Sequence, residues 1–397
     1  PSTSELEIQL LTVLPNLFII PFVLLSGKLS LSKSKISIVV VALVIYLASG
    51  ILYFFAGSMV ALIVISCLLG VGCGLLIPLA AGLLADTFVG KYRMQQLGIK
   101  SGISNIALVI ATFVVGWLSH GNWHLPFLVY LIPAIPLAMS VFLRGIPKAD
   151  LYPQTMASPQ VKASAKVASK ASMAGVAADA IYAVPPAATS DDFGKFGRVK
   201  DGFIVSRVWW LIAVYFMVCY AGVIVSYYSP FLMQGYGLSD SDVGTVTALF
   251  FLAVFLPGFV LPWIVKSLKQ TTLIISAAVM AGGIFLMTVS HHFGMLCLAA
   301  MLVGAGYGVF QPLIYDKATQ VITVPAKSTL ALAFVLAANY LSVSATPFIV
   351  DGFADLLHQA HNNAFPFIFN SIVMAAFTVI VILFRKSFVF AINKTYY

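Results

Sequence analysis

The sequence GVGCGLLIP at positions 70–78 returns as GAGYGVFQP at positions 304–312, so that three glycines and a proline recur with one spacing. The offset between the two copies is 234 residues, and the same offset carries Asn105 onto Asn339. Each copy lies in an apolar stretch longer than the roughly 20 residues that cross a bilayer as a helix. The match therefore indicates an internal repeat of membrane helices, and its period sets the predicted architecture.

The composition indicates a protein that lies within a membrane. Hydrophobic residues make up 61% of the 397 residues and charged residues 9%, whereas soluble domains carry about 25% charged residues. Eleven apolar stretches are long enough to span, at residues 8–27, 36–56, 58–84, 95–118, 125–144, 207–230, 243–265, 272–290, 295–315, 328–350 and 364–384. We predict a helix for each, because a bilayer offers no water to satisfy the backbone of an irregular segment.

Basic residues are unevenly distributed between the two sides that alternating spans define. All but one of the 22 Lys and Arg residues lie in alternate loops, in or beside the long segment at 145–206, or after the last span; the exception is Lys100. The loops of the other side carry acidic residues and histidines. Because basic residues near helix ends stay cytoplasmic, we predict a multi-pass plasma (inner) membrane protein with its long segment and C-terminus in the cytoplasm. The net charge of +9 then needs no nucleic acid partner.

The segment at 145–206 differs from the rest in composition, since Ala, Ser and Pro replace the apolar runs. Lys162, Lys166 and Lys170 recur every four residues, which is the spacing of one helix face. Two interpretations stay open, a flexible cytoplasmic linker and a basic helix that lies on anionic lipid. The predicted domains are an N-terminal bundle at 1–144, the linker at 145–206 and a C-terminal bundle at 207–397.

The repeat is parallel and has a period of six spans. The third span maps onto the ninth, and both run in the same direction, so the two halves are related by an axis along the membrane normal. The sixth span, at 207–230, has no partner in the sequence, and its partner would precede Pro1. We therefore expect a further span upstream of residue 1 and two bundles of six helices in the whole protein.

This architecture resembles the major facilitator superfamily (MFS) of secondary transporters, over the whole chain except the linker. The loop after the first span reads GKLSLSKSK at 27–35, which keeps the glycine, the leucine and the basic character of the family signature but lacks its acidic residue. Where drug–proton antiporters of the family often carry an arginine, the residue is Ser66. The resemblance implies an all-α fold of two six-helix bundles in the lipid bilayer and transport by alternating access. It also implies a small-molecule substrate and, for some members, a coupling proton or ion.

Lys100 lies inside a predicted span, where a charged side chain usually has a function. Three interpretations stay open: it binds an anionic group of the substrate, it pairs with Asp86, or it snorkels to the inner interface beside Arg93. Asp86 and Arg93 lie at the inner ends of neighbouring spans and are themselves candidate gating charges.

Polar side chains on spans that line the cavity of the resembling family are the other candidates for substrate binding. They are Asn105, Tyr215, Tyr227, Tyr307, Gln311 and Asn339. The two asparagines either bind substrate or hydrogen-bond between helices, since a buried amide needs a partner. The tyrosines either line the cavity or anchor the helices at the membrane interface. The sequence Tyr227-Tyr-Ser-Pro230 also resembles part of the sugar-porter signature of the family.

The glycines and prolines of the two motifs are predicted to serve helix packing and hinging. They are Gly70, Gly72, Gly74 and Pro78 in the third span and Gly304, Gly306, Gly308 and Pro312 in the ninth. Glycines four residues apart allow helices to approach closely, and a proline removes a backbone donor. Close packing alone explains the pattern, and sliding or bending during transport is the functional alternative.

The sequence contains no catalytic constellation, metal-ligand spacing or cofactor motif, so we predict neither an enzyme nor a cofactor. Because few charges lie in the spans, efflux of amphipathic small molecules is the predicted activity. Uptake of a sugar or of an organic anion is the alternative within the same class. A non-transporting membrane protein or a truncated remnant is the alternative of another class.

Overall fold

The computed structural model describes residues 5–31, 34–88, 90–119, 125–143, 199–200, 202–359 and 361–397. Most of the predicted linker, with Lys162, Lys166 and Lys170, lies outside these ranges. The domain boundaries given above therefore stay predictions.

The described chain forms eleven α-helices, one at each predicted span, which confirms the all-α fold class. They are α1 Glu5–Leu29, α2 Lys35–Leu52, α3 Met59–Thr87, α4 Gly90–Ser119, α5 Ala134–Leu143, α6 Val205–Gly235, α7 Asp240–Leu268, α8 Thr272–Val289, α9 Phe293–Ala318, α10 Ser328–Leu356 and α11 Phe365–Leu383. Seven helical segments of the described residues are long and apolar enough to cross a membrane, and one of these, Ser241–Val289, contains both α7 and α8.

The fifth predicted span is not one continuous α-helix. Residues Leu125–Leu131 form a 3-10 helix, a turn follows, and α5 begins at Ala134. Pro133 accounts for the break, because proline has no N–H to donate and its ring clashes with the carbonyl of the preceding turn. A span assigned from hydropathy alone does not reveal this interruption.

The repeat in the sequence is also present in the helix packing. α3 packs against α1 and α2, and α9 packs in the same way against α7 and α8. In each motif the first and third glycines lie against α1 or α7, and the middle glycine lies against α2 or α8. A Cβ on Gly304, for example, would overlap the carbonyl oxygen of Phe250. Tight packing is thus observed at these glycines, and their part in motion stays a prediction.

Two helix crossings join the N-terminal helices, α1–α5, to the C-terminal helices, α6–α11. α4 crosses α7, where Gly98 and Gly258 bring the two backbones together, because a Cβ on either glycine would overlap the carbonyl oxygen of the other. α1 crosses α10 where Gly27 meets Ala333. Since the repeat relates α1 to α7 and α4 to α10, the two crossings are equivalent.

A small antiparallel sheet lies before α6, within the predicted linker. β1 (Val199–Lys200) pairs with β2 (Phe203–Ile204), and Phe203 also forms a bridge with Ile322 in the loop between α9 and α10. The backbone N–H of Ile204 donates to Val321 O at 3.0 Å. The start of α6 is therefore hydrogen-bonded to the loop that follows α9 in the C-terminal bundle.

Candidate functional site

Three tyrosine hydroxyls surround one glutamine amide between α6 and α9. The Nε2 atom of Gln311 lies 3.3 Å from the hydroxyls of Tyr215 and Tyr307 and 3.2 Å from that of Tyr315. The hydroxyls of Tyr215 and Tyr315 are 2.8 Å apart. A primary amide has two N–H donors, so Gln311 cannot donate a full hydrogen bond to all three at once. The contact between Tyr215 and Tyr315 supplies part of what Gln311 cannot, so the amide and the three hydroxyls form one connected polar network.

Helix α4 of the other bundle completes this group. The hydroxyl of Ser101 donates to the Oε1 atom of Gln311, which links the two bundles. We call Ser101, Tyr215, Tyr307, Gln311 and Tyr315 the tyrosine–glutamine cluster. It lies where helices from both halves meet, which is where transporters with parallel repeats bind their substrates.

The spacing of residues explains why α9 presents this surface. Tyr307, Gln311 and Tyr315 are four residues apart, so they lie along one face of the helix. The glycines of the α9 motif lie on its other faces and pack against α7 and α8. On α6, Cys219 follows Tyr215 by one turn, and its Sγ atom lies 3.8 Å from the hydroxyl of Tyr307.

Lys100 lies next to Ser101 on α4, at the edge of the cluster. Its Nζ atom is 5.7 Å from the centre of the Tyr315 ring, within the range of a cation–π contact. Within the described part of the chain no carboxylate pairs with this ammonium. Asp86, the partner considered above, pairs instead with Lys35 of α2. Lys100 is therefore a half-buried cation that faces the ring of Tyr315.

Arg93 and Asp316 form an ion pair between the bundles. The Nε atom of Arg93 in α4 lies 2.8 Å from Oδ1 of Asp316 in α9, and the two side chains are 9% and 2% exposed. The other carboxylate oxygen accepts hydrogen bonds from Gln320 at 2.7 Å and from Tyr396 at 2.6 Å. Asp316 is thus fully satisfied while it faces the opposite bundle. We call Arg93 and Asp316 the gate pair.

A second polar contact joins the bundles near the gate pair. Asp86 of α3 accepts a hydrogen bond of 2.6 Å from the hydroxyl of Ser328, the first residue of α10. Both contacts lie at the end of the molecule that carries Lys28, Lys35, Lys91, Lys266, Lys269 and Lys327, which we call the basic end. The two bundles are therefore held together by charge and hydrogen bonds at the end where α3 and α9 finish.

The other candidate residues lie apart from the cluster. Asn105 lies one turn beyond Ser101 and donates to the carbonyl oxygen of that residue at 2.8 Å, within its own helix. Asn339 is half-buried on α10 and makes no side-chain hydrogen bond within the described residues. Tyr227 lies twelve residues after Tyr215 on α6, which is about 18 Å along the helix axis. The structure thus brings Lys100, Tyr215, Tyr307 and Gln311 together and leaves these three outside.

Sequence reasoning missed two residues that the geometry makes prominent. Ser101 follows Lys100 directly, but a single serine in an apolar span gives no signal of its own. Tyr396 lies after the last predicted span, where nothing in the pattern points to a partner on α9. Each is found only when the helices are placed side by side.

Comparisons with known proteins give one family. The model of the Major Facilitator Superfamily matches residues 2–269 and 210–389. The multidrug transporter protein MdtP of Bacillus subtilis (strain 168) is 31% identical over 123 residues, which is 31% of this chain and 23% of that protein's length.

Solved structures of the same architecture are similar over nearly the whole chain. The human organic anion transporter MFSD10 (TETRAN) superposes with a TM-score of 0.70 at 14% identity, covering 93% of this chain and 83% of that one. The proton:xylose symporter XylE superposes with a TM-score of 0.68 at 15% identity, covering 97% and 88%. At these identities the likeness shows the fold alone.

Proposed function

The chain belongs to the Major Facilitator Superfamily of secondary transporters, whose members are not enzymes, and we propose that it carries small amphipathic organic anions across the membrane by alternating access. The observation that carries this proposal is Lys100, a half-buried ammonium without a carboxylate partner among the described residues, beside the tyrosine–glutamine cluster.

The charge of Lys100 favours an anionic substrate. Removing an ammonium from water is unfavourable unless an opposite charge or several acceptors replace the water. The ring of Tyr315 provides part of this compensation, since a cation–π contact is worth about 0.5–2 kcal/mol. A carboxylate or sulfonate of the substrate would provide the rest. The tyrosine rings then supply apolar walls, and the hydroxyl of Tyr307, the one tyrosine of the cluster that is only partly buried, supplies a hydrogen bond.

From the gate pair we infer which conformation of the transport cycle this structure represents. Arg93–Asp316 and Asp86–Ser328 both join the bundles at the basic end, so we take this end as closed. With the basic end on the cytoplasmic side, as the charge distribution predicts, this state faces outward. Breaking the two contacts would open the cytoplasmic side, and the crossing of α1 with α10 would have to separate as well, because Gly27 adjoins Lys28 at the same end.

The relatives are compatible with such a substrate. One similar protein is named a multidrug transporter and one similar structure is that of an organic anion transporter. Efflux is the direction we propose, because an amphipathic molecule enters the site from the lipid or the cytoplasm with little need for electrostatic attraction. A coupling proton or ion belongs to the proposal as a partner, and XylE is a proton symporter of the same fold.

Two dyes of one ring system and opposite charge test the substrate class. The purified protein in proteoliposomes is given fluorescein, an organic anion, or rhodamine 123, an organic cation. We expect saturable transport of fluorescein and little transport of rhodamine 123. Lys100→Met should abolish fluorescein transport, whereas Lys91→Met, an exposed lysine of the same helix, should leave it unchanged. Fluorescein transport that survives Lys100→Met would contradict the proposed role of this residue.

A neutral sugar is the second candidate, because Gln311 and three tyrosine hydroxyls form a group of donors and acceptors. Tyr227 and its neighbours resemble a sugar-porter motif in sequence, but they lie away from this group. Radiolabelled D-xylose in the same proteoliposomes separates the two classes. Xylose transport that is insensitive to Lys100→Met, together with no fluorescein transport, would favour the sugar.

A further inference from the structure

The segment Phe384–Tyr397 after α11 folds back across the basic end of the C-terminal bundle, and we call it the strap. Its apolar side chains are buried against the bundle. They are Val389, Phe390, Ile392 and Tyr396, each 2–3% exposed. Burial of this extent gives the strap one defined position, because returning large apolar side chains to water is unfavourable.

Two polar side chains of the bundle hold the backbone of the strap. The Nζ atom of Lys317 donates to the carbonyl oxygens of Phe388 and Ala391, each at 2.6 Å. The amide of Gln270 donates to the carbonyl oxygen of Ile392 at 2.6 Å and accepts from its N–H at 3.0 Å. The strap is therefore bound to α9 and to the turn between α7 and α8, as part of the C-terminal bundle.

The last turn of the strap reaches the gate pair. The hydroxyl of Tyr396 donates to Oδ2 of Asp316 at 2.6 Å, while Oδ1 of the same carboxylate faces Arg93 at 2.8 Å. The 3-10 helix Lys394–Tyr396 also packs against α4 of the opposite bundle and against α7. One short turn thus contacts both bundles at the basic end.

Tyr396 remains a hydrogen-bond donor at neutral pH. Burial raises the pKa of its hydroxyl, and the neighbouring Asp316 carboxylate raises it further. The carboxylate of Asp316 therefore keeps a fixed donor on the side away from Arg93.

We propose that the strap is a latch for the closed basic end and that Tyr396 is a positioning residue for the gate pair. By fixing Asp316 from the C-terminal bundle, Tyr396 holds the carboxylate oriented toward Arg93 before the bundles meet. Closure then needs little further ordering of the carboxylate, and the outward-facing state is favoured. The inference rests on alternating access but not on the identity of the substrate, so its test uses no substrate.

Adjacent tyrosines provide a matched pair of variants. Tyr396→Phe removes the hydrogen bond to Asp316 and a longer one, 3.1 Å, accepted from Gln320. Tyr397→Phe removes a hydrogen bond from Gln270 at 2.8 Å that only fastens the strap. Hydrogen exchange of the full chain in lipid nanodiscs is the measurement. We expect Tyr396→Phe to speed exchange about tenfold in the first turns of α4 and the last turns of α9, since a hydrogen bond to a charged group is lost. Tyr397→Phe should speed exchange in the strap alone.

The inference is overturned if both variants change exchange in the strap and neither changes it in α4. A double-mutant cycle with Arg93→Met gives a second, independent result. If Tyr396 acts through the gate pair, Tyr396→Phe adds no further increase in α4 exchange in the Arg93→Met background. A full tenfold addition in that background would show that the strap closes the basic end in some other way. Absence of fluorescein transport would count against the proposed substrate and leave this result standing.

Discussion

Gln311 is the residue at which the two bundles, the tyrosines and the proposed substrate converge. Its amide reaches three hydroxyls on one side and Ser101 of the opposite bundle on the other. Lys100 supplies charge next to it, without hydrogen bonds of its own in the described structure. We therefore propose separable roles, in which Lys100 selects the sign of the substrate charge and Gln311 orders the hydroxyls.

Gln311→Leu should weaken fluorescein binding and lower the stability of the protein. The substitution removes the donor shared by the three hydroxyls and the acceptor of Ser101, and a buried polar group left without a partner costs about 1–3 kcal/mol. Thermal unfolding in detergent and equilibrium dye binding measure the two effects. Gln359→Leu, on an exposed loop beyond α10, is the control and should change neither. Normal dye affinity in the Gln311 variant would remove the cluster from the binding site.

The contribution of Tyr396 to stability should not depend on pH between about 6 and 9. Its pKa is raised in the folded protein, so its stabilising effect is complete below the unfolded value of about 10 and is lost as the pH rises above it. We expect a constant difference in Tm between the wild type and Tyr396→Phe up to pH 9 and a smaller difference above pH 10. A difference that already falls between pH 6 and 8 would contradict the hydroxyl-to-carboxylate geometry.

The sequence predicts part of this site and not the rest. Tyr307 and Gln311 are predicted because they are polar side chains on a span that lines the cavity in the resembling family, and Lys100 is predicted because it is a charge within an apolar span. The partners of Asp86 and Arg93 cannot be predicted in this way. Lys35 and Asp316 reach them from other helices, and no local pattern in the sequence encodes how those helices pack. Asn105 and Asn339, which match in the repeat, differ in their contacts because their neighbours are not repeated.

At the scale of helices, the glycine motifs act as packing surfaces. Each presents alternate glycines to two neighbouring helices, so α3 and α9 fit into grooves that any larger residue would fill. This part of the fold follows from the sequence, since spacing, period and offset are all visible there. The interruption before α5 and the strap after α11 do not follow from the sequence pattern. The interruption depends on one proline, and the strap depends on tertiary contacts.

Gly304→Ala should destabilise the protein, whereas Gly282→Ala should not. A Cβ on Gly304 would overlap the carbonyl of Phe250, and overpacking of this kind costs about 1–3 kcal/mol. Gly282 is exposed on α8 with no atom near its missing Cβ, so alanine gains roughly 0.5–1 kcal/mol from helix propensity. Thermal unfolding of the two variants compares them directly. Equal Tm values would mean that the α7–α9 contact is looser than described.

At the scale of the whole molecule, the two bundles meet at two equivalent crossings, at the Ser101–Gln311 hydrogen bond and at the polar contacts of the basic end. The crossings are made of glycine and alanine and carry no charge, whereas the basic end is closed by Arg93–Asp316 and Asp86–Ser328. We propose that the polar contacts give the basic end a definite closed state, which alternating access requires.

Changing one charge of the gate pair should open the basic end, and exchanging both charges should partly close it again. Arg93→Asp places two carboxylates against each other, and adding Asp316→Arg returns opposite charges. Spin labels at Lys28→Cys and Lys266→Cys, exposed positions on different bundles, report the separation after the native cysteines are replaced. We expect a longer distance for Arg93→Asp, a partial return for the double reversal, and no change for the exposed control Lys91→Asp. An unchanged distance in Arg93→Asp would show that this pair does not close the basic end.

Counterflow in proteoliposomes tests the central claim, an alternating-access carrier of organic anions, most directly. Vesicles that contain the wild-type protein are preloaded with unlabelled fluorescein and diluted into a trace of radiolabelled fluorescein, without an ion gradient. An alternating-access carrier exchanges the two, so we predict a transient accumulation of label that peaks and decays, and none with Lys100→Met. Label that only equilibrates, at the same rate with and without the protein, would contradict the account.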